Sequence, residues 1–169
     1  MTKSSKLHVM ISSQCDDNFP LDQKVKKLSC VRKTLKKHIK DFKISKENLF
    51  EVWINEDAPS ASGDMDSWEK CMDVAKKCDI LIVLYNGNAG WLGSDKNNEN
   101  IGICHAELMT GYNAAPAKVR LIELVSKKTP DDTEVSHNKK FQAYIEQQNL
   151  FRGDIVNTVD DLKKRVIDA

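Results

Sequence analysis

The sequence predicts an α/β protein, a doubly wound sheet of about five parallel strands held between two layers of helices. Three features carry this. Short apolar, β-branched runs alternate with stretches whose apolar residues recur every three or four positions. One of the runs, Ile80 to Tyr85, is too uniformly apolar for an edge and reads as a central strand covered on both faces. The length, 169 residues, suits one domain with a real core, and the chain shows no repeat and no linker. Strands joined through helices pair in parallel with right-handed crossovers, and a three-layer, flavodoxin-like strand order fits best.

The elements follow in order. Leu7 to Ser13 reads as a buried first strand, ended by a polar loop from Gln14 to Pro20. Leu21 to Phe42 reads as a long amphipathic helix, with Val25, Leu28, Val31, Leu35, Ile39 and Phe42 on one stripe. Leu49 to Ile54 is the second strand, and Asn55 to Asp66, rich in Pro, Gly, Ser and acids, an exposed loop. Asp66 with Glu69 resembles a capping box for a helix to about Cys78, whose inner face is Trp68, Cys71, Met72 and Ala75. After the central strand, Asn86 to Asn100 is a Gly/Asn-rich loop able to adopt left-handed conformations. A helix over about Gly102 to Ala115, a strand over Val119 to Val125 and a helix over Thr133 to Gln148 come next. Asp154 to Val156 is read as a short fifth strand, and Thr158 as the cap of a final helix with Val159, Leu162 and Val166 inward. The loosest connection is Lys127 to His137. The last helix runs close to Ala169, which fits either a domain of a longer chain or a small complete protein.

Composition narrows the function classes. Lys plus Arg number 26 against 25 Asp plus Glu, so no global charge recruits nucleic acid or a membrane surface. The basic residues between Lys24 and Lys43, Arg32 among them, read as a solvated helix face rather than a nucleic-acid stripe, because no aromatics are interleaved. Five cysteines with no CxxC pair and four scattered histidines give no metal-site spacing, and free thiols fit a reducing cytosol. The polar N-terminus lacks the apolar segment of a signal peptide, and no apolar run approaches the ~18 residues of a membrane span. The expected location is the cytoplasm.

Ile103 to Leu108 (ICHAEL) is the most informative segment. It places Glu107 near the start of a helix that follows the loop after the central strand, the region where α/β sheets bind ligands. The two readings are a catalytic carboxylate facing a nucleotide, whose pKa the nearby helix N-terminus is expected to lower in favour of the ionised form, and a solvated glutamate in a first helical turn. Ser12 and Ser13 end the first strand, where hydroxyls and backbone N–H groups hold phosphate or ribose, or simply cap a loop. Asp57 stands where doubly wound folds often place a ribose-binding acid, though among several acids. Trp91 after Gly90 either stacks on a nucleotide ring or folds back onto the core. His105, two residues from Glu107, lies on a different helical face and either touches substrate or packs; Cys104 reads as a small buried residue.

Several stretches together resemble one family. Val9 to Ser13 (VMISS) resembles the opening strand "VFISS" of the TIR-like domains at the N-termini of bacterial STAND-type NTPases. Trp68 to Leu84 resembles that family's helix–strand unit, in which the helix ends in Cys/Ser-Asp before the central strand. Gly87 to Trp91 resembles its "GxRYGW" loop, one residue shorter and without the arginine, and Ile103 to Leu108 its "SITHxEY" segment, with Cys104 for threonine. The resemblance runs from about Lys6 to Arg120.

That family is similar to true TIR domains and to nucleoside 2-deoxyribosyltransferases, in which a glutamate at the matching position acts on an N-glycosidic bond. The resemblance therefore implies a single TIR-like domain over residues 1–169 with Glu107 as catalytic residue. Ser12, Ser13, Gly90 and Trp91 would line a nucleotide pocket, with Asp57 and His105 as further candidates. NAD+ is then the substrate, with no cofactor and no metal. The implied role is an effector of bacterial antiviral defence, active through self-association or with neighbouring domains of the same system. Alternatives are a non-catalytic self-association module, which the missing loop arginine favours, a deoxyribosyltransferase-like enzyme, and a nucleotide sensor. The transferases carry an aspartate several residues before the glutamate, and here Glu99 and Asp95 match that poorly.

Overall fold

A computed structural model describes residues 6–20, 26–57, 67–92, 101–126 and 136–169. Four parallel strands form one sheet: β1 (Leu7–Ser12), β2 (Phe50–Trp53), β3 (Ile80–Tyr85) and β4 (Val119–Glu123), in the order β2-β1-β3-β4. The helices are α1 (Leu28–Asp41), α2 (Ser67–Lys77), α3 (Ile103–Ala114), α4 (Ser136–Gln147) and α5 (Val159–Asp168). This is the doubly wound, three-layer α/β fold expected from the sequence, in flavodoxin-like order.

Strand alternation divides the core in two. Val9, Ile11, Val52, Ile82, Leu84 and Ile122 face α1 and α5, packing on Leu28, Val31, Leu35, Ile39, Leu162 and Val166. Met10, Leu81, Val83, Tyr85 and Leu121 face the other layer, packing on Ala75, Cys104, Leu108, Phe141 and Ile145. β3 is paired on both sides and buried on both faces, as its unbroken apolar run requires. α1 presents Leu28, Val31, Leu35 and Ile39 of its expected stripe to the sheet, whereas Phe42, just past its end, is 38% exposed. Thr158 caps α5 by accepting a hydrogen bond from Asp161 N–H at 3.1 Å.

Four differences from the sequence reading have physical causes. The fifth strand is reduced to one parallel bridge, Leu124 with Val156. Gly153, at φ +80°, turns the preceding segment away from β4. α1 begins at Leu28, because Lys26–Lys27 pair with Asn18–Phe19 in a small antiparallel ladder; residues 21–25, Val25 among them, lie outside the described residues. A second unexpected ladder joins Lys43–Ile44 to Glu47–Asn48 through Ser45 and Lys46, both at positive φ. That turn normally signals itself with Asn or Gly, and here it does not. Finally, α2 buries Cys71 and Ala75 fully while Trp68 and Met72 are half-buried, and the proposed cap at Asp66 falls outside the described residues.

α3 is seated on the loop after β3 through a close backbone approach at Gly102. A Cβ there would lie 2.0 Å from Ala89 O, a backbone atom that cannot rotate away. Gly102→Ala is expected to lower stability by about 2 kcal/mol or more, as a melting temperature lower by several degrees in thermal denaturation. An unchanged melt would mean that this seating is looser than the geometry states.

Candidate active site

The order β2-β1-β3-β4 puts the topological switch point between β1 and β3, where the chain leaves toward opposite edges of the sheet. At its carboxyl end β1 carries Ser12, on the same face as Met10 and therefore toward α3. The Ser12 hydroxyl donates a hydrogen bond to Glu107 Oε2, joining residues 95 apart in sequence. Glu107 is 5% exposed and Ser12 1%. α3 buries Cys104 through Leu108 consecutively, so this end of the helix is enclosed all round rather than amphipathic.

This corrects both the reading of Glu107 as a solvated first-turn charge and the expectation that the helix N-terminus lowers the pKa of a catalytic carboxylate there. α3 starts at Ile103 and has no acid in its first turn. Burial dominates and pushes the Glu107 carboxyl above its ordinary value; Ser12, Cys71 and Arg32 oppose the shift without cancelling it. Cys71, from α2, donates at 3.4 Å to Asn55 Oδ1 and lies beside the carboxylate. Burial first, and Glu107 second, push its thiol far up, so it remains a neutral donor. Cys104 is buried and pushed up by the same two causes, matching its reading as a small packing residue.

The residue that the sequence reading misplaced is Arg32. It is 2% exposed, not part of a solvated basic face. Its Nη1 donates to Ser13 O at 2.9 Å, and its Nη2 to Cys15 Sγ at 2.9 Å and Glu56 Oε1 at 2.5 Å. Burial works against the charge, but Cys15 and Glu56 outweigh it and hold the guanidinium pKa above its usual value. Its Nε has no partner. The signal was available: at 3.6 residues per turn Arg32 lies about 40° from Leu28 and about 20° from Ile39, inside the apolar stripe. The lysines around it are exposed or half-exposed, as expected.

The remaining candidates are dispersed. Ser13 is buried on the α1 face, its hydroxyl donating to Gln14 O at 3.1 Å. Gly90, at φ +80°, belongs to a loop tied to α3: Ile103 N–H donates to Trp91 O at 2.7 Å and Cys104 N–H to Ala89 O at 3.0 Å. Trp91 is 52% exposed and meets Trp68 edge-on, with ring centroids 6.1 Å apart. His105 is buried, stacked on Phe141 at 5.2 Å and tilted against Tyr144, with both ring nitrogens unpartnered. It packs α3 on α4. Asp57 is not gathered with Glu107; it pairs with Lys36 at 2.5 Å and caps Ile54 N–H at 3.1 Å.

The loops on either side of the switch point are themselves tied together. Asp17 Oδ2 accepts from Asn86 Nδ2 at 2.6 Å and Asn88 Nδ2 at 3.2 Å. Ala89 N–H donates to Asn138 Oδ1 at 2.8 Å. Gln14 Oε1 takes the N–H groups of Asp16 and Asp17, while Asp17 O and Cys15 O accept from Leu28 and Ser29 at the start of α1. Backbone donors that dinucleotide folds turn toward phosphate are thus used internally here. Among the described residues no group of three or more His, Cys, Asp or Glu is placed to hold a metal ion, and no helix is long and apolar enough to cross a membrane.

Comparison with protein-family models, curated proteins and solved structures gives no significant match to this chain.

Two titrations follow. Because the folded-state value of Glu107 is raised, its stabilising share is present below the unfolded value near 4.5 and is lost as pH rises through the folded value. Glu107→Gln removes that loss, so its melting temperature relative to the parent is expected to be more favourable at pH 8 than at pH 4, by a few degrees. A variant destabilised more at pH 8 than at pH 4 contradicts a buried, strained carboxylate. His105 runs the other way. Burial, then Lys140, lower it to about 4 from 6.5, so its contribution holds above about 6.5 and is lost as pH falls toward 4. His105→Phe is expected to melt like the parent at pH 7.5 and above it at pH 4.5; parallel pH profiles would refute the assignment.

Proposed function

We propose that this chain is a TIR-like N-glycosyl hydrolase that uses Glu107 to cleave the nicotinamide–ribose bond of NAD+. The observation that carries the reading is the Glu107 carboxylate itself. It is buried at the carboxyl ends of the two central strands, oriented by the Ser12 hydroxyl, with its pKa raised by burial. The resemblance of Val9 to Ser13 and Ile103 to Leu108 to the TIR-like segments joins the same two residues.

The chemistry needs little else. Nicotinamide in NAD+ is a cationic leaving group, so no general acid is required. As the C1′–N bond breaks, its electron pair goes to nicotinamide and positive charge develops on the ribose. A carboxylate in a low-dielectric setting stabilises that charge more strongly than one in water. The approach of the cationic ring opposes the upward shift that burial imposes and favours the ionised form of Glu107. Water then adds at C1′ and releases a proton, so NAD+ and water give nicotinamide, ADP-ribose and H+. Ser12 fixes the carboxylate's position, and Trp91, half-exposed and edge-on to Trp68, offers an aromatic face for stacking. The implied setting is a cytoplasmic effector of bacterial antiviral defence that works in self-associated form.

A second reading is a non-catalytic assembly module of the same family. One observation favours it: Glu107 is already satisfied by Ser12 with Cys71 alongside, and only 5% exposed. A deoxyribosyltransferase-like enzyme would use the same carboxylate on a nucleoside.

The test is nicotinamide release from NAD+ by concentrated protein, with and without a clustering agent. Glu107→Gln is expected to lower the rate by about 100-fold or more while remaining folded. Ser12→Ala is expected to lose less, chiefly in kcat. Absence of release under clustering conditions sinks the hydrolase reading; release that survives Glu107→Gln moves the reacting group elsewhere.

A further inference from the structure

β4 is an edge strand whose outer side is only partly covered. Leu124 N–H donates to Tyr85 O at 2.7 Å, so by alternation Ile122 and Arg120 also turn their backbone groups toward β3, while Leu121 and Glu123 turn theirs outward. At one end of this edge Val156 N–H donates to Glu123 O and Val125 N–H to Val156 O, each at 2.9 Å. At the other end Val119 N–H bonds Pro116 O, and Arg120 Nη1 donates to Val119 O at 2.9 Å. Between them, the Leu121 N–H and C=O and the Glu123 N–H have no protein partner among the described residues. That set is what a parallel neighbour needs. One guest residue donates to Leu121 O and accepts from Glu123 N–H, and the residue two before it accepts from Leu121 N–H.

Among the described residues the chain's own continuation does not fill the position. Gly153, at φ +80°, packs directly against Arg165, whose Nη2 would lie 1.4 Å from a Cβ placed there and donates to Arg152 O at 3.0 Å. Residues 152–155 are thereby exposed beside β4 rather than paired with it. A groove of about 640 Å³ remains, floored by Val119, Leu121 and Leu150. Arg152 and Arg165 line it, with Arg120, whose Nε donates to Ala169 O at 2.7 Å, and with Asp168 as the acidic side chain. No carboxylate among the described residues pairs with Arg152 or Arg165 within 4.0 Å.

We propose that this groove binds an extended acidic peptide segment, which adds to the sheet as a parallel strand beside β4. Unpaired backbone groups supply the affinity in strand addition, and the arginines select acidic side chains. The site shares no residue with the Glu107–Ser12 pair and is independent of the reaction proposed for it.

The test uses the full chain and a fluorescent six-residue peptide alternating valine and glutamate, with a valine–lysine peptide as control. Binding is read by anisotropy and amide hydrogen exchange residue by residue. The glutamate peptide is expected to bind and to slow exchange at Leu121 and Glu123, and the lysine peptide to bind at least about tenfold more weakly. Arg152→Glu, at an exposed side chain, is expected to reverse that preference without changing the melting temperature. No binding, equal binding of both peptides, or protection elsewhere overturns the proposal. So does a concentration-dependent dimer that protects the same two amides without peptide, because the occupant would then be a second copy of the chain.

Discussion

A carboxylate shut away from water at the end of a parallel sheet is the constraint around which this molecule is arranged. Burying Glu107 costs stability whichever protonation state it holds, and the surrounding packing has to hold it there. α3 must lie close to the sheet, which requires the Gly102 backbone approach and the small residues Cys104 and Ala106. β1 must end in a hydroxyl rather than another aliphatic, so the alternation that makes Met10 a core residue makes Ser12 the carboxylate's donor. The Asp17–Asn86–Asn88 contacts then fix the two loops above the junction.

Much of this was legible in the sequence, for identifiable reasons. The central strand and the stripe of α1 depend on periodicity, which is local, and their positions agree closely with expectation. Ser12 and Glu107 were both singled out, yet their hydrogen bond spans 95 positions and no local pattern encodes it. Arg32 was misread because its charge was weighed before its place on the helix. Asp57 was overvalued because its position at a strand end said nothing about Lys36, which captures it. The fifth strand was overcalled because Asp154 to Val156 has strand-like composition, whereas Gly153 and its contact with Arg165 decide the path of the chain. The Ser45–Lys46 turn carries no residue that marks positive φ and could not be read at all.

The charges near Glu107 bear on which ligand its carboxylate favours. Arg32 is the buried cation closest in kind to a partner for Glu107, but its guanidinium is committed to Glu56, Cys15 and Ser13 O. Arg32 and Glu56 cancel to first order, so among the described residues an ionised Glu107 adds one buried negative charge with no cation bonded to it. Such a site opposes phosphate and favours a cation. On the proposed reading the two halves of NAD+ are sorted by this alone. The positively charged nicotinamide riboside is drawn inward to the carboxylate, and the diphosphate is held out toward solvent, away from loop donors that are already occupied. The same field resists a neutral nucleoside less than an anion but rewards it less than a cation. On the proposed reading, that field is the reason a cationic nicotinamide riboside suits Glu107 better than a neutral nucleoside.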